Sequence, residues 1–382
     1  MKIFHLSDLH IGLKLFQRDL REDQEYIFQQ IIRRAEEEQP DVLLIAGDLY
    51  DRAVPSAESA EVFDHLISGL TAALPRLEIM LISGNHDSAA RLNVYRSVLE
   101  HQHLHVIGLP PQLPEDHIAC VTLEDAFGPV HFWLLPFVKP SMVKLIVGSD
   151  ENGNNLSYEE SVRRLLAREP IDRSQRNVLV SHQFYLPVGS DPEQIARMDS
   201  ELPTVGNIDA IRADVLEPFD YAALGHIHKP MQVGSDRYRY CGTPLACSVS
   251  EAGQQKGIIE VELGEKGDVQ TRVLPLEPLR QVKVLRGTLE EVLAQACGDY
   301  VTVVLTNRVE MDALDLQDRL RCAFPCLLEV RRENLRTVTH QAADLGQALD
   351  TFALCREFLA DLDEEEQALL RDVINTVQEV EA

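Results

Sequence analysis

Five short stretches carry metal-binding side chains, and each follows a run of apolar residues. "IFHLSDLH" brings Asp8 and His10, and "VLLIAGDLYD" brings Gly47, Asp48 and Asp51. "IMLISGNHD" brings Asn85 and His86 after Gly84, "VLVSHQ" brings His182, and "YAALGHIH" brings His226 and His228. An apolar run that breaks at glycine or a polar residue reads as a buried strand delivering its last side chains to a sheet edge. In α/β sheets the carboxyl ends of the strands line one crevice, where ligands bind. Any one of these residues is equally well explained as a turn or capping group. Five strand ends of one chemical kind are not.

Asp8, His10, Asp48, Asn85, His182, His226 and His228 exceed what one six-coordinate ion can take while leaving room for water. Two ions sharing a carboxylate use the set economically. Asp48, held at the Gly47 turn, is the expected bridge between two divalent cations about 3.5–4 Å apart. Four imidazoles with carboxylate and amide oxygens favour Mn, Fe or Zn over Mg or Ca; manganese is the expected ion and magnesium the weaker match. His86 is a surplus imidazole beside a ligand. Its expected catalytic role is to give a proton to a leaving oxygen or to hold a phosphate oxygen in the transition state. Asp87 either orients His86 or caps the next helix.

The elements that must position these groups alternate in the first 110 residues. Strands are expected at residues 3–6, at Val42–Ala46 and at Glu78–Ile82, with helices at 24–38 and 58–74 between them. Near-continuous apolar strands separated by helices indicate a parallel sheet covered on both faces. After Pro110 the strands shorten: 118–123, 130–137, 178–181, 221–224, 257–263 and 269–275. Ser157 with Glu160 signals a helix running through Arg168. "GSDENGNN" and the long segment after His182 read as loops. Beyond the linker "PLEPLRQ" the pattern is β-α-β-α-β. The end carries two amphipathic helices, with stripes at Phe352, Cys355, Phe358, Leu359 and Leu362, and at Leu369, Leu370, Val373, Ile374 and Val377. "HQHLH" at 101–105 follows a helix with no strand to position it, so surface or helix-end residues are expected there rather than a metal site.

At 382 residues the chain exceeds one ordinary domain. Apolar content of 45% and charged content of 26% suit a soluble globular protein. The net charge of −26 argues against a broadly basic nucleic-acid surface but not against nucleic acid as substrate, because divalent cations supply local positive charge. The excess is uneven: from Asp344 onward eleven acidic residues face two basic ones. Lys14, Arg18, Arg52 and Arg91 lie just past ligand-bearing turns and are the candidate DNA contacts. Seven cysteines without a CxxC spacing read as reduced structural thiols; Cys322 and Cys326, one turn apart, lack a second pair. The polar residues of "MKIFHLSDLH" do not suit a signal segment, and no apolar stretch approaches the ~18–20 residues of a membrane span. A cytoplasmic protein with no membrane partner is expected.

DxH, GDxxD, GNHD, a lone His after a strand and GHxH, in that order, resemble the calcineurin-like metallophosphoesterases. Within them, "FHLSDLHIG", "LLIAGDLYDRAVPS", "ISGNHDS", "VLVSHQF" and "LGHIHKP" resemble the SbcD family, the nuclease subunits of bacterial SbcC–SbcD complexes, and the likeness runs over essentially the whole chain. The resemblance implies one ion on Asp8, His10, Asp48 and His228, the other on Asp48, Asn85, His182 and His226, and His86 as the catalytic histidine. A second helper histidine, present in some archaeal relatives, is replaced by Asp51. The implied fold is α/β: a two-sheet α-β-β-α sandwich over residues 1–278, an α/β cap facing DNA at 279–340, and C-terminal helices at 341–382 that bind SbcC. The implied activity, with the SbcC ATPase, is an ATP-dependent 3′–5′ exonuclease on double-strand ends and an endonuclease on single strands and hairpins, acting in DNA repair, recombination and replication. A homodimer is expected through the apolar stripes of 58–74 and 91–100, their burial within one subunit being the alternative. A small-substrate phosphatase or phosphodiesterase and a metal-free scaffold are the rival readings. Neither the second domain nor the complete ligand set favours them.

Overall fold

A computed structural model describes residues 1–189, 209–306, 313–333, 366, 367, 369 and 370. The chain divides into two units, Met1–Glu333 and Asn334–Ala382.

The first unit is built on two six-stranded sheets. In one, Lys2–Leu6, Val42–Ala46, Glu78–Ile82 and Leu104–Ile107 run parallel, and the antiparallel pair Lys256–Leu263 and Val269–Leu276 extends the Lys2–Leu6 edge. All five residues of Val42–Ala46 are buried, as a strand covered on both faces requires. In the other sheet Gly128–Leu135, Arg176–His182, Tyr221–Gly225 and Tyr238–Tyr240 are parallel neighbours, with Ala119–Asp125 and Met231–Gln232 antiparallel at the two edges. Ile3, Leu44 and Met80 from the first sheet meet Phe132, Val178 and Ala223 from the second in one apolar layer. The outer face of the first sheet packs on Arg21–Glu38 and Ala57–Ala73 through Ile27, Ile31, Leu66 and Leu70. The outer face of the second packs on Pro140–Val147 and Tyr158–Arg168 through Val143, Val162 and Leu165. The order is helix, sheet, sheet, helix, the two-sheet α/β sandwich that the motif resemblance implies.

Local signals account for several boundaries. Ser157 Oγ accepts the Glu160 amide at 3.1 Å and opens Tyr158–Arg168. Ser56 does the same for Ala57–Ala73. The helix Pro140–Val147 lacks an apolar period long enough to be read from sequence.

Three parallel strands, Val282–Gly287, Tyr300–Leu305 and Leu327–Arg332, form a further sheet with the helices Leu289–Leu293 and Ala313–Ala323 and a core of Val292, Val301, Val303, Leu316, Leu320 and Phe324. It is tied to the sandwich. Tyr300 Oη donates to Asp23 Oδ2 at 2.7 Å, Arg280 pairs with Asp23 and Glu22, and Arg18 donates to the Pro325 carbonyl at 2.8 Å.

Two expectations change here. The stripe of Ala57–Ala73 faces inward, with Val62, Leu66 and Leu70 at most 2% exposed, because the parallel sheet needs a helix over that face. The 91–100 segment is two short helices, Ala89–Leu92 and Arg96–Glu100, broken at Tyr95, whose φ of +62° leaves the helical region. Val94, Tyr95 and Val98 there are exposed. The C-terminal stripes at 352–362 and 369–377 fall outside the described residues, apart from helical positions at Leu369 and Leu370.

Candidate metal centre

Every nominated ligand lies at or just beyond the carboxyl end of a strand. Asp8 and His10 follow Lys2–Leu6, Asp48 follows Val42–Ala46, and Asn85 follows Glu78–Ile82; His182 closes Arg176–His182, and His226 and His228 follow Tyr221–Gly225. The first three strands belong to one sheet and the last two to the other, so the site spans the top of the sandwich.

The connecting backbone is contorted. Asp8, His10, Asp48 and His226 adopt φ of +53°, +43°, +50° and +101°. Residues with a Cβ seldom occupy this region, and such strain persists where the surroundings over-determine it, most often at functional sites. Backbone bonds lock the loops together: Asp8 N to Gly47 O at 3.0 Å, His10 N to Asp48 O at 3.1 Å, and Ile11 N to Leu49 O at 2.9 Å. Gly47 and Gly84 allow the approach. A Cβ on Gly47 would lie 2.3 Å from His182 Nδ1, and one on Gly84 2.1 Å from Asp48 Oδ1.

The side chains converge. His10 Nε2 and His228 Nε2 are 3.0 Å apart, and Asp8 joins them in one compact group. Asn85 Oδ1 lies 3.0 Å from His182 Nε2 and 2.9 Å from His226 Nδ1. Asp48 Oδ2 sits between the groups, 3.8 Å from His10 Nε2 and 3.3 Å from His182 Nε2. Two atoms each about 2.1 Å from one ion, at right angles, are about 3.0 Å apart. The separations therefore suit neighbouring ligands of a cation in each group, with Asp48 common to both.

Burial and mutual charge set the protonation of these groups. Burial, then His228, pushes His10 down to about 3, leaving a neutral imidazole whose Nδ1 has no hydrogen-bond partner among the described residues. Burial raises Asp8. At Asp48 burial opposes ionisation, but the charge and hydrogen bond of His182, with His10 and His86, hold the carboxyl well below its usual range. Burial would lower His182, yet Asp48 and Asp8 raise it to about 9. Its Nδ1 lies 2.7 Å from the Ala46 carbonyl, which only accepts, so Nδ1 carries a proton and Nε2 points at Asp48 and Asn85. The site draws positive charge.

His86 is half-buried at the rim. Its amide donates to Asp48 Oδ1 at 2.8 Å, and its Nδ1 donates to the Asp51 carbonyl at 3.1 Å. Asp87 does not orient it and does not cap a helix. Its oxygens accept the amides of Leu49 (3.1 Å), Tyr50 (3.0 Å) and Gly84 (2.9 Å), clasping the two ligand loops. The Asp51 carboxylate lies 3.9 Å from His10 Nδ1 and 3.7 Å from Arg52 Nε.

Residues 1–230 match the calcineurin-like phosphoesterase family. The chain belongs to it. Members are metal-dependent hydrolases that bind two divalent metals, which accords with the ligand groups above. Three solved structures also align. The TT1561 protein of Thermus thermophilus is 12% identical over 71% of this chain and 98% of its own, with a TM-score of 0.40. GAP50, the anchor in the inner membrane complex of Plasmodium, is 10% identical over 88% and 98%, at 0.43. A dimetal phosphatase from Danio rerio is 14% identical over 72% and 98%, at 0.40.

The remaining residues weighed in the sequence lie outside the two ligand groups. His105 does lie on a strand, Leu104–Ile107, contrary to the reading of "HQHLH". Both His103 and His105 bind the Glu78 carboxylate, at 2.6 and 2.8 Å. Arg18 is engaged by the Pro325 carbonyl. Lys14 and Arg52 line a cavity of about 440 Å³ that reaches Gly12 and Asp51. Sequence reasoning misses Glu251, a buried acid whose Oε1 lies 3.6 Å from His228 Nδ1, because no strand or motif announces it. No helix among the described residues is long and apolar enough to cross a membrane.

Proposed function

We propose that this protein is a DNA nuclease of the SbcD type, hydrolysing phosphodiester bonds with two divalent cations, manganese first among them. The observation that carries the reading is the meeting of Asp8, His10, Asp48, Asn85, His182, His226 and His228 beneath a half-buried His86, supplied by five segments that resemble SbcD. Cations bound there lower the pKa of water and neutralise charge on the phosphate. Asp48 joins the two ligand groups, and Asn85 holds the rings of His182 and His226 at fixed separation. His86, its Nδ1–H held by the Asp51 carbonyl, presents Nε2; as the imidazolium it gives the Nε2 proton to the leaving sugar oxygen and is left as the neutral Nδ1–H ring.

A small phosphate ester has no use for the added sheet of Val282–Gly287, Tyr300–Leu305 and Leu327–Arg332, whereas a polymer has more surface to meet. With the SbcC ATPase docked on residues 341–382, the activity is ATP-dependent 3′–5′ exonuclease on duplex ends and endonuclease on single strands and hairpins, in cytoplasmic DNA repair. Lys14, Arg52 and Arg91 are the phosphate contacts of this reading; reversing the charges of Arg52 and Arg91 should weaken DNA binding and flatten its salt dependence, and an unchanged slope would remove those two. The decisive assay incubates the protein and Mn²⁺ with labelled single-stranded, hairpin and blunt duplex DNA beside bis-p-nitrophenyl phosphate. Hydrolysis of the small ester alone would reduce the reading to a small-substrate phosphoesterase.

A further inference from the structure

Beyond the residues that match the family, the chain buries an ion pair directly behind His228. Glu251 is 1% exposed and Lys256 5%, and Lys256 Nζ lies 2.7 Å from Glu251 Oε2. Together they grip His228 at two points. Lys256 Nζ donates to the His228 carbonyl at 2.9 Å, joined there by the Thr243 amide at 3.2 Å. Glu251 Oε1 faces His228 Nδ1 at 3.6 Å, while the ring's other nitrogen, Nε2, faces His10. The carboxylate is itself fixed. Thr243 Oγ1 donates to Oε2 at 2.9 Å, and Ser248 Oγ and the Cys247 amide donate to Oε1 at 3.1 and 3.2 Å.

A buried charge is costly unless it is paired and hydrogen-bonded, so an assembly this complete needs a reason. An imidazole that gives its Nε2 lone pair to a cation must carry its proton on Nδ1. A carboxylate facing Nδ1 fixes that tautomer, steadies the ring and makes the other nitrogen a stronger donor. His228, Cys247 and Glu251 are close enough to hold a cation of their own. Lys256 already supplies the positive charge that this carboxylate needs, which argues against one.

We propose that Glu251, anchored by Lys256 and Thr243, is a positioning residue that orients His228 toward the cation it shares with Asp8 and His10, and so sets that ion's affinity. The proposal rests on the two-cation reading of the site and is independent of DNA as the substrate.

The test uses the full chain and counts bound Mn²⁺ by electron paramagnetic resonance titration, with metal-free thermal melting alongside. Wild type should bind two ions. Glu251→Gln should weaken one of them by roughly 10–100-fold and leave the other nearly unchanged. Thr243→Val, which removes one anchor with little change of shape, should weaken the same ion less, and it carries the test if Glu251→Gln fails to fold. Long-range proton–nitrogen NMR spectra of the metal-free protein should show His228 as the Nδ1–H tautomer in wild type and a mixture in Glu251→Gln. Two ions bound with wild-type affinity in both variants would overturn the proposal. Equal weakening of both ions with a lowered melting temperature would overturn it too, reducing Glu251 to a prop of the fold. A wild type that takes up no Mn²⁺ would overturn the two-cation reading and this proposal with it.

Discussion

Asp48 and His86 are neighbours joined by a 2.8 Å hydrogen bond, yet their substitution should give different phenotypes. Asp48 belongs to both ligand groups, so Asp48→Ala is expected to lose metal and activity together. His86 stands outside the ligand set, so His86→Ala should keep both ions and lose activity by roughly 10²–10⁴-fold. Metal content by elemental analysis, beside the DNA cleavage rate, separates the two; a wild-type rate in His86→Ala would end its catalytic assignment. His182 makes a second prediction. Raised to about 9 in the metal-free protein, it holds at neutral pH a proton that must leave before Nε2 takes a cation. Binding should therefore release protons and tighten as pH rises toward about 9, whereas His10, at about 3, has none to give. Calorimetry in buffers of different ionisation enthalpy counts those protons, and a buffer-independent enthalpy would take His182 out of the ligand set. Stability runs the other way. The raised imidazole stabilises the metal-free fold fully below its unfolded value near 6.5, and that contribution fades as pH climbs through 9.

The strands fix the site because their ends are held by turns that tolerate no extra atom. On Gly84 a Cβ would lie 2.1 Å from Asp48 Oδ1 and 2.4 Å from its backbone nitrogen. Gly84→Ala is expected to displace Asp48, lower metal content, and destabilise the fold by about 1–3 kcal/mol. Gly298, with nothing within 4 Å of its Cβ position and an ordinary φ, is the control; Gly298→Ala should leave both unchanged. Calorimetric melting and metal analysis of the pair report the outcome, and a Gly84→Ala protein with full metal content would mean that the turn has slack.

For the whole molecule, residues 1–333 form one compact unit that contains every nominated ligand. On the proposed reading, deleting residues from about 345 onward should preserve Mn²⁺-dependent cleavage of single-stranded DNA, since the ligands are all retained, and abolish the proposed SbcC binding. If the truncated protein still co-purifies with SbcC, the docking site lies elsewhere. We propose a homodimer through Val94, Tyr95 and Val98, exposed in the 91–100 segment; light scattering of the truncated protein is expected to report it, because all three are retained. Tyr95→Glu is expected to yield monomer, and a dimer unaffected by it would place the interface elsewhere.

The order of apolar strands and the chemistry at their ends were legible in the sequence, because a buried strand must be apolar and its last residues must differ. That reasoning reached Asp8, His10, Asp48, Asn85, His86, His182, His226 and His228, and the α/β class with them. What it could not reach depends on contacts between segments far apart in the chain. From its place in "GNHD" Asp87 reads as an orienter of His86 or a helix cap, but three amides of two loops claim its oxygens. Ala57–Ala73 shows the same apolar stripe whether it faces a partner or its own sheet, and only packing decided for the sheet. Glu251 has no strand or motif to mark it. Its burial behind His228 follows from where the chain returns after the second sheet is complete, since a local pattern records which face is apolar but not what that face will meet.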